Sequence, residues 1–367
     1  MIKKVVWFVG LILCLLSCGK DYAYRVEGKL SNLEDQTIFV IFEREDYNLI
    51  DTVICEKPGQ FVVKQTEEGF NSVTILYDNK TQWFTAYLKP GDNIIISGDA
   101  NYPLLFQVKG GKINEKLSAV RKELAPLLKD LTEQTAFLHR KGINTVEETE
   151  IASRISNINL QLSEDVMKYI KDNPDEEASV VLIKMFFAEP DDTRKMDELL
   201  AMLDPELKNF YLVNELEQYS IRAKRITLGA EAPDFSLKNV YGNTVNLSSF
   251  PDKYLLLAFT APWCDMCQTE DLLLDKVAMQ YPKDKVDILL ISLDDNQRQV
   301  RDMLAKDSIQ WNLVTDSAGQ ATMMLELYNV SALPRCFLID EEGKIILKTD
   351  NGIEIKQSLD KIFEEEE

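Results

Sequence analysis

The stretch that most constrains this chain is Tyr254–Glu270, YLLLAFTAPWCDMCQTE. Leu255–Phe259 is an unbroken apolar run of the length expected for a central strand buried on both faces. Thr260-Ala261-Pro262 makes a turn, Trp263-Cys264-Asp265-Met266-Cys267 follows, and Leu272, Leu273, Val277 and Tyr281 recur at helical spacing. The pattern predicts two cysteines in the first turn of a helix that leaves the C-terminal end of a buried strand. There the free N–H groups and positive dipole end of the helix favour a thiolate, the nucleophilic form of cysteine. Two intervening residues bring the second sulfur close enough to form a disulfide or to attack a mixed one. A zinc half-site or a fold-stabilising bridge would use the same residues. Zinc takes about four ligands, and the one histidine, His139, lies far upstream, so redox chemistry is favoured over metal binding.

The first residues read as an export signal covering 1–17: Lys3 and Lys4, an apolar run Val5–Leu16, then Leu15-Leu16-Ser17-Cys18. The apolar run is too short to span a bilayer. A signal ending on cysteine resembles the lipobox of bacterial lipoproteins, which implies cleavage before Cys18 and acylation of its thiol. Gly19 follows in place of the aspartate that retains some such proteins at the inner membrane. The resemblance therefore implies a lipid anchor in a Gram-negative cell envelope, at the outer membrane and facing the periplasm.

With 41 basic and 61 acidic side chains the formal net charge is −20, which excludes a nucleic-acid partner, since phosphate binding needs clustered Lys and Arg. Apart from Cys14 and Cys18, the cysteines are Cys55, Cys264, Cys267 and Cys336. Four thiols are too few to staple so long a chain, and a paired redox role suits them better. No cofactor and no metal ligand set is indicated.

Residues 22–110 read as an all-β domain. Strands are expected at Tyr24–Leu30, Thr37–Phe42, Leu49–Cys55, Gln60–Lys64, Val73–Tyr77, Phe84–Leu88 and Asn93–Ser97, with Gly, Pro, Asn and Asp turns between them. An antiparallel sandwich follows. Its LIDT, PGQF and LKPGD pieces resemble the uncharacterised β domain that precedes thioredoxin-like domains in Gram-negative lipoproteins. Cys55 reads as a core residue. Residues 111–224 turn helical: Ile113, Leu117, Val120, Leu124 and Leu127 share a face, with a kink expected at Pro126. Thr145 and Glu148 suggest a capping box for a second helix, a third runs through Val180–Phe187, and Pro205 opens a fourth.

Residues 227–364 alternate strand and helix in the order β-α-β then α-β-β-α, an α/β sandwich around a mixed sheet. Strands are expected at Val245–Leu247, Leu255–Phe259, Val286–Leu293 and Leu313-Val314, within the stretch Val330–Asp340, and at Lys344–Lys348, and helices at Gln297–Lys306, Thr322–Tyr328 and Ile355–Phe363. Trp263-Cys264-x-x-Cys267, Leu333-Pro334, the APDFSL opening and the LIDEEGK hairpin resemble the thioredoxin-like fold, and specifically the TlpA/ResA-like thiol-disulfide oxidoreductases of the AhpC/TSA-redoxin superfamily. The resemblance implies catalysis by Cys264 and Cys267, alternating between dithiol and disulfide. It also implies a cis Leu333-Pro334 bond, with Trp263, Leu333 and Pro334 binding the substrate chain, and Glu270 accepting a proton from Cys267. Protein disulfides would be the substrates and a DsbD-type membrane thiol reductase the electron donor, as in cytochrome c maturation.

Three departures bear on this. Ala258 stands where thioredoxin has a buried aspartate, the proline usual before the second cysteine is Met266, and Asp265 and Asp271 add negative charge near Cys264. That charge raises a thiol's pKa and favours the disulfide, the behaviour of a reductant. A thiol peroxidase of the AhpC/TSA type is the alternative enzyme, but it would carry Thr or Ser where Ala261 stands. A copper-binding assembly factor would need a histidine in this domain. A further alternative is a lipid-anchored binding module whose redox domain is incidental. Cys336 is either a strand residue or a third thiol, with the strand reading favoured.

Overall fold

The computed structural model describes residues 22–364 except 46, 79, 139, 141–143, 190, 265–266, 268–272, 295 and 297–311. Two compact units divide the chain: one runs to Tyr169 and includes Glu176–Ala178, and the other holds Ile170–Asp175 and everything from Ser179 onward.

The first unit opens with seven strands: β1 Tyr24–Ser31, β2 Thr37–Glu43, β3 Asn48–Ile54, β4 Gln60–Gln65, β5 Ser72–Tyr77, β6 Gln82–Tyr87 and β7 Asn93–Asp99. A short β8, Gln107–Lys109, which the residue pattern did not announce, completes two four-stranded sheets, β4-β1-β7-β8 and β3-β2-β5-β6. In β1 alternate residues Tyr24, Val26 and Leu30 turn inward and are almost wholly buried, as a sheet with one wet face requires. Phe42, Phe61, Phe70, Ile75, Ile94 and Phe106 join them in the core. The expectation of an antiparallel sandwich fails at one pair, because β1 and β7 run parallel. Alternation reports which face is buried and is blind to strand direction. Gly59 has φ +72° and a Cβ there would fall 1.8 Å from the Leu30 carbonyl oxygen, so the turn into β4 admits only glycine.

The helices are α1 Lys112–Glu123, α2 Ala125–Leu138, α3 Thr145–Asp172, α4 Glu177–Phe187, α5 Arg194–Ala201 and α6 Tyr211–Arg225. At Pro126 the chain breaks into two helices, with Leu124 between them, because proline lacks the N–H and crowds the carbonyl four residues back. The cap of α3 is one residue earlier than expected. Asn144 Oδ1 accepts from the amides of Val146 and Glu147, and the Asn144 N–H donates to the Glu147 carboxylate. Pro205 opens a 3-10 turn, Pro205–Asn209, ahead of α6.

The second unit contains the C-terminal sheet. A two-stranded ribbon, β9 Leu237–Lys238 and β10 Thr244–Val245, precedes it. Then come β11 Tyr254–Thr260, α7 Leu274–Gln280, β12 Val286–Ser292, β13 Asn312–Thr315, α8 Gln320–Leu327, β14 Arg335–Ile339, β15 Ile345–Thr349 and α9 Gly352–Glu364. The sheet order is β13-β12-β11-β14-β15, with β11, β12 and β13 parallel and β14 and β15 antiparallel to their neighbours. Leu255–Phe259 is at most 2% exposed, because helices cover both faces. Leu257 and Phe259 pack with Met324 of α8, while Leu256 and Ala258 pack with Val277 of α7 and Leu359 of α9. Burying each such leucine stabilises by about 1.5–3 kcal/mol. The helix expected at Gln297–Lys306 lies outside the described residues.

Candidate active site

The end of β11 sets the site. Cys264 N–H donates to the Ala261 carbonyl and Cys267 N–H to the Cys264 carbonyl, so the two cysteines occupy successive tight turns. They form a disulfide with Cα atoms 5.2 Å apart. Cys267 lies in a 3-10 turn, and helix α7 starts at Leu274, after Leu273 at φ +51°; the expected first helical turn around the cysteines falls largely on 265–266 and 268–272, outside the described residues. Residues Asp265, Met266, Glu270 and Asp271 lie outside the described residues, as do Cys18 and His139.

The two cysteines differ in exposure. Cys267 is fully buried, Cys264 is partly exposed, and the neighbouring Trp263 is 66% exposed. Such a pair offers one sulfur to a partner and holds the other within reach of the first. The Leu333–Pro334 peptide is cis. Phe259 pairs with Arg335 in the β11–β14 ladder, so one step further along the register Pro334 comes beside Thr260, at the level where the chain turns toward Cys264. Pro334 is buried and Leu333 partly exposed.

Beneath the cysteines the sheet carries hydroxyls and no acid among the described residues. Ala258 pairs with Cys336. Thr260, Ser292 and Thr315 lie side by side across β11, β12 and β13, each at most 2% exposed, and the Thr260 and Ser292 hydroxyls have no hydrogen-bond partner. Cys336 is 1% exposed and packs with Ala258, Leu290 and Leu338; burial pushes its thiol up to about 12. The strand reading of Cys336 is therefore the one the packing supports. Cys55 likewise lies in the β-sandwich core, its thiol raised by burial. No group of three or more metal-ligating side chains occurs among the described residues. No described helix is long and apolar enough to cross a membrane.

One cluster beside the site was invisible in the sequence. Arg335, which follows Pro334, donates to Asp191 Oδ1 at 2.7 Å, and Lys348 of β15 reaches the same oxygen at 2.6 Å. Nothing local marks Asp191, which lies between α4 and α5.

Residues 228–348 match the AhpC/TSA family, and residues 24–117 match a domain of unknown function, DUF4369. The thiol-disulfide oxidoreductase ResA of Geobacillus thermodenitrificans is 31% identical over 140 residues, 37% of this chain and 79% of that protein. The thioredoxin-like protein YneN of Bacillus subtilis is 30% identical over 153 residues, 40% of this chain and 87% of that protein. The thioredoxin domain of a thiol-disulfide oxidoreductase from Bacteroides vulgatus is 27% identical, covering 37% of this chain and 96% of that one, with a TM-score of 0.34. By the relatives its C-terminal residues match, and with a disulfide-forming CxxC pair at the end of its central strand, the chain is a thiol-disulfide oxidoreductase and belongs to the TlpA/ResA-like proteins of the thioredoxin fold.

Proposed function

We propose that the protein reduces disulfides of polypeptide partners in a Gram-negative envelope, held by acyl chains on Cys18 at the outer membrane and facing the periplasm. The observation that carries this is the unequal exposure of the disulfide-bonded cysteine pair, Cys267 fully buried and Cys264 partly exposed. In the reduced protein the Cys264 thiolate attacks one sulfur of a substrate disulfide. The substrate S–S bond breaks, its departing sulfur takes up a proton, and a mixed disulfide joins Cys264 to the other sulfur. Cys267 then passes its proton to Glu270 and attacks the Cys264 sulfur. The mixed disulfide breaks, Cys264–Cys267 forms, and the second substrate thiol leaves protonated. Two electrons and two protons pass to the substrate, and a membrane thiol reductase of the DsbD type restores the dithiol.

Trp263, Leu333 and Pro334 hold the substrate chain in this scheme, with the Leu333 backbone bonding to it as an added strand. The reductive direction is supported by Asp265 and Asp271, whose charges oppose a thiolate at Cys264. Reduction of a disulfide between haem-attachment cysteines during cytochrome c maturation is one use that fits. A Cys267→Ala variant is expected to accumulate mixed disulfides on Cys264, identifiable by mass spectrometry. Absence of any trapped partner from envelope extracts would refute the assignment. For the anchor, Cys18→Ser is expected to leave unprocessed precursor or soluble protein; unchanged mass and membrane fractionation would exclude acylation.

A further inference from the structure

Arg335 follows the cis Leu333–Pro334 peptide directly, and its charge does not stand free. Its guanidinium and the Lys348 ammonium both bond to Asp191 Oδ1, at 2.7 and 2.6 Å. The side chain of Lys348 is 5% exposed and that of Arg335 20%, whereas Asp191 is 55% exposed. One carboxylate thus lies over two cations and meets solvent in their place. Burial acts to raise the Asp191 carboxyl, but the hydrogen bonds from Lys348 and Arg335 outweigh it and leave the group below its usual range, ionised at neutral pH. The chain before Asp191 is tied down as well: the Tyr219 hydroxyl of α6 donates to the Ala188 carbonyl at 3.4 Å. All of these residues belong to the second compact unit.

We propose that Asp191, contributed by the helical segment, is a specificity-determining residue of the thiol-disulfide reaction. By covering Arg335 it withholds positive charge from the Leu333–Pro334 edge, so the edge accepts neutral and basic polypeptide segments and gives acidic ones no purchase. This rests on the reading that this edge docks the substrate. The overall charge of −20 works in the same direction, repelling acidic partners at long range. Lys348 is too deeply buried to meet a substrate, so Arg335 is the charge that Asp191 controls.

The test mixes the reduced protein with two peptide disulfides that share one sequence around the cystine but carry Asp-rich or Lys-rich flanks. Second-order rate constants for oxidation of the Cys264/Cys267 dithiol are each divided by that for a small neutral disulfide, 2-hydroxyethyl disulfide. In Asp191→Asn the normalised acidic-to-basic ratio is expected to rise about three- to tenfold in about 0.01 M salt and to return toward the wild-type ratio near 1 M. Adding Arg335→Gln to that variant is expected to restore the wild-type ratio. Arg335→Gln alone, which keeps Lys348 paired, is expected to lower the ratio and gives the answer if Asp191→Asn does not fold. A ratio unmoved in Arg335→Gln, or moved equally at high and low salt, would overturn the role of Asp191. Loss of all reactivity in Cys264→Ser, with Asp191 intact, separately tests the reaction assignment on which it rests.

Discussion

Thr260→Val is expected to stabilise the redox domain, although it removes a polar group from the end of the strand that carries the cysteines. Thr260 is fully buried and its hydroxyl has no partner. A buried hydroxyl without a hydrogen bond costs about 1–3 kcal/mol, and valine replaces it with a methyl group of similar shape worth up to about 0.8 kcal/mol of burial. Allowing for incomplete relief, the net gain is about 1–2 kcal/mol. The backbone bond from Leu293 N–H to the Thr260 carbonyl is untouched. Thr349 is the internal control. It is 4% exposed, but its hydroxyl donates to Glu354 at 2.6 Å and accepts from the Asn351 amide at 3.0 Å. The same substitution there leaves a carboxylate and an amide short of a partner and should cost about 1–3 kcal/mol. Native-state hydrogen exchange of β11 and β12 peptides reads both effects: slower by about 5- to 30-fold in Thr260→Val, faster in Thr349→Val. Destabilisation by Thr260→Val would show that the hydroxyl is satisfied in solution and would refute the reasoning. If stability rises while resolution of the mixed disulfide slows, the hydroxyl assists proton movement near Cys267.

Three further outcomes are expected. Glu270→Gln should slow release of the mixed disulfide much more than its formation; rapid-mixing kinetics that show equal effects would reduce Glu270 to a surface acid. Asp265→Asn should lower the Cys264 pKa and make the pair more oxidising, with a larger shift at low salt; a glutathione titration that finds the unsubstituted pair already strongly oxidising would overturn the reductant assignment. Cys336 should resist alkylation in the folded protein at pH 8, because burial holds its thiol at about 12. Since that pKa is raised above the unfolded value, its contribution to stability is complete below about 8.5 and is lost as pH climbs toward about 12. Labelling of native protein at the rate of a free thiol would contradict the packing.

Periodicity is a local property, and what it encodes was legible. The alternation in Tyr24–Asp99 marked seven strands to within a residue or two, and the unbroken apolar run Leu255–Phe259 marked a strand covered on both faces. The paired cysteines at its end were equally plain, and the resemblance carried by Leu333-Pro334 pointed to the cis bond found there. Partner choice is not local. No residue pattern distinguishes a β1 that pairs antiparallel from one that pairs parallel with β7, and β8 is too short for a period. Asn144 and Thr145 are both good helix caps, and it is Asn144 whose side-chain oxygen accepts from the amides of Val146 and Glu147. The sequence left Cys336 between core and reactivity; its register opposite Ala258 put it in the core. The orphaned hydroxyls of Thr260 and Ser292 read as ordinary strand ends until the register set them in the buried sheet with no hydrogen-bond partner. Asp191 and Arg335 lie 144 positions apart, and a surface acid looks the same in sequence whether it meets water or a buried cation. Their pairing exists because helix packing brings the α4–α5 connection to β14 and β15, and a charge covered in this way acquires its role only from what the tertiary structure sets against it.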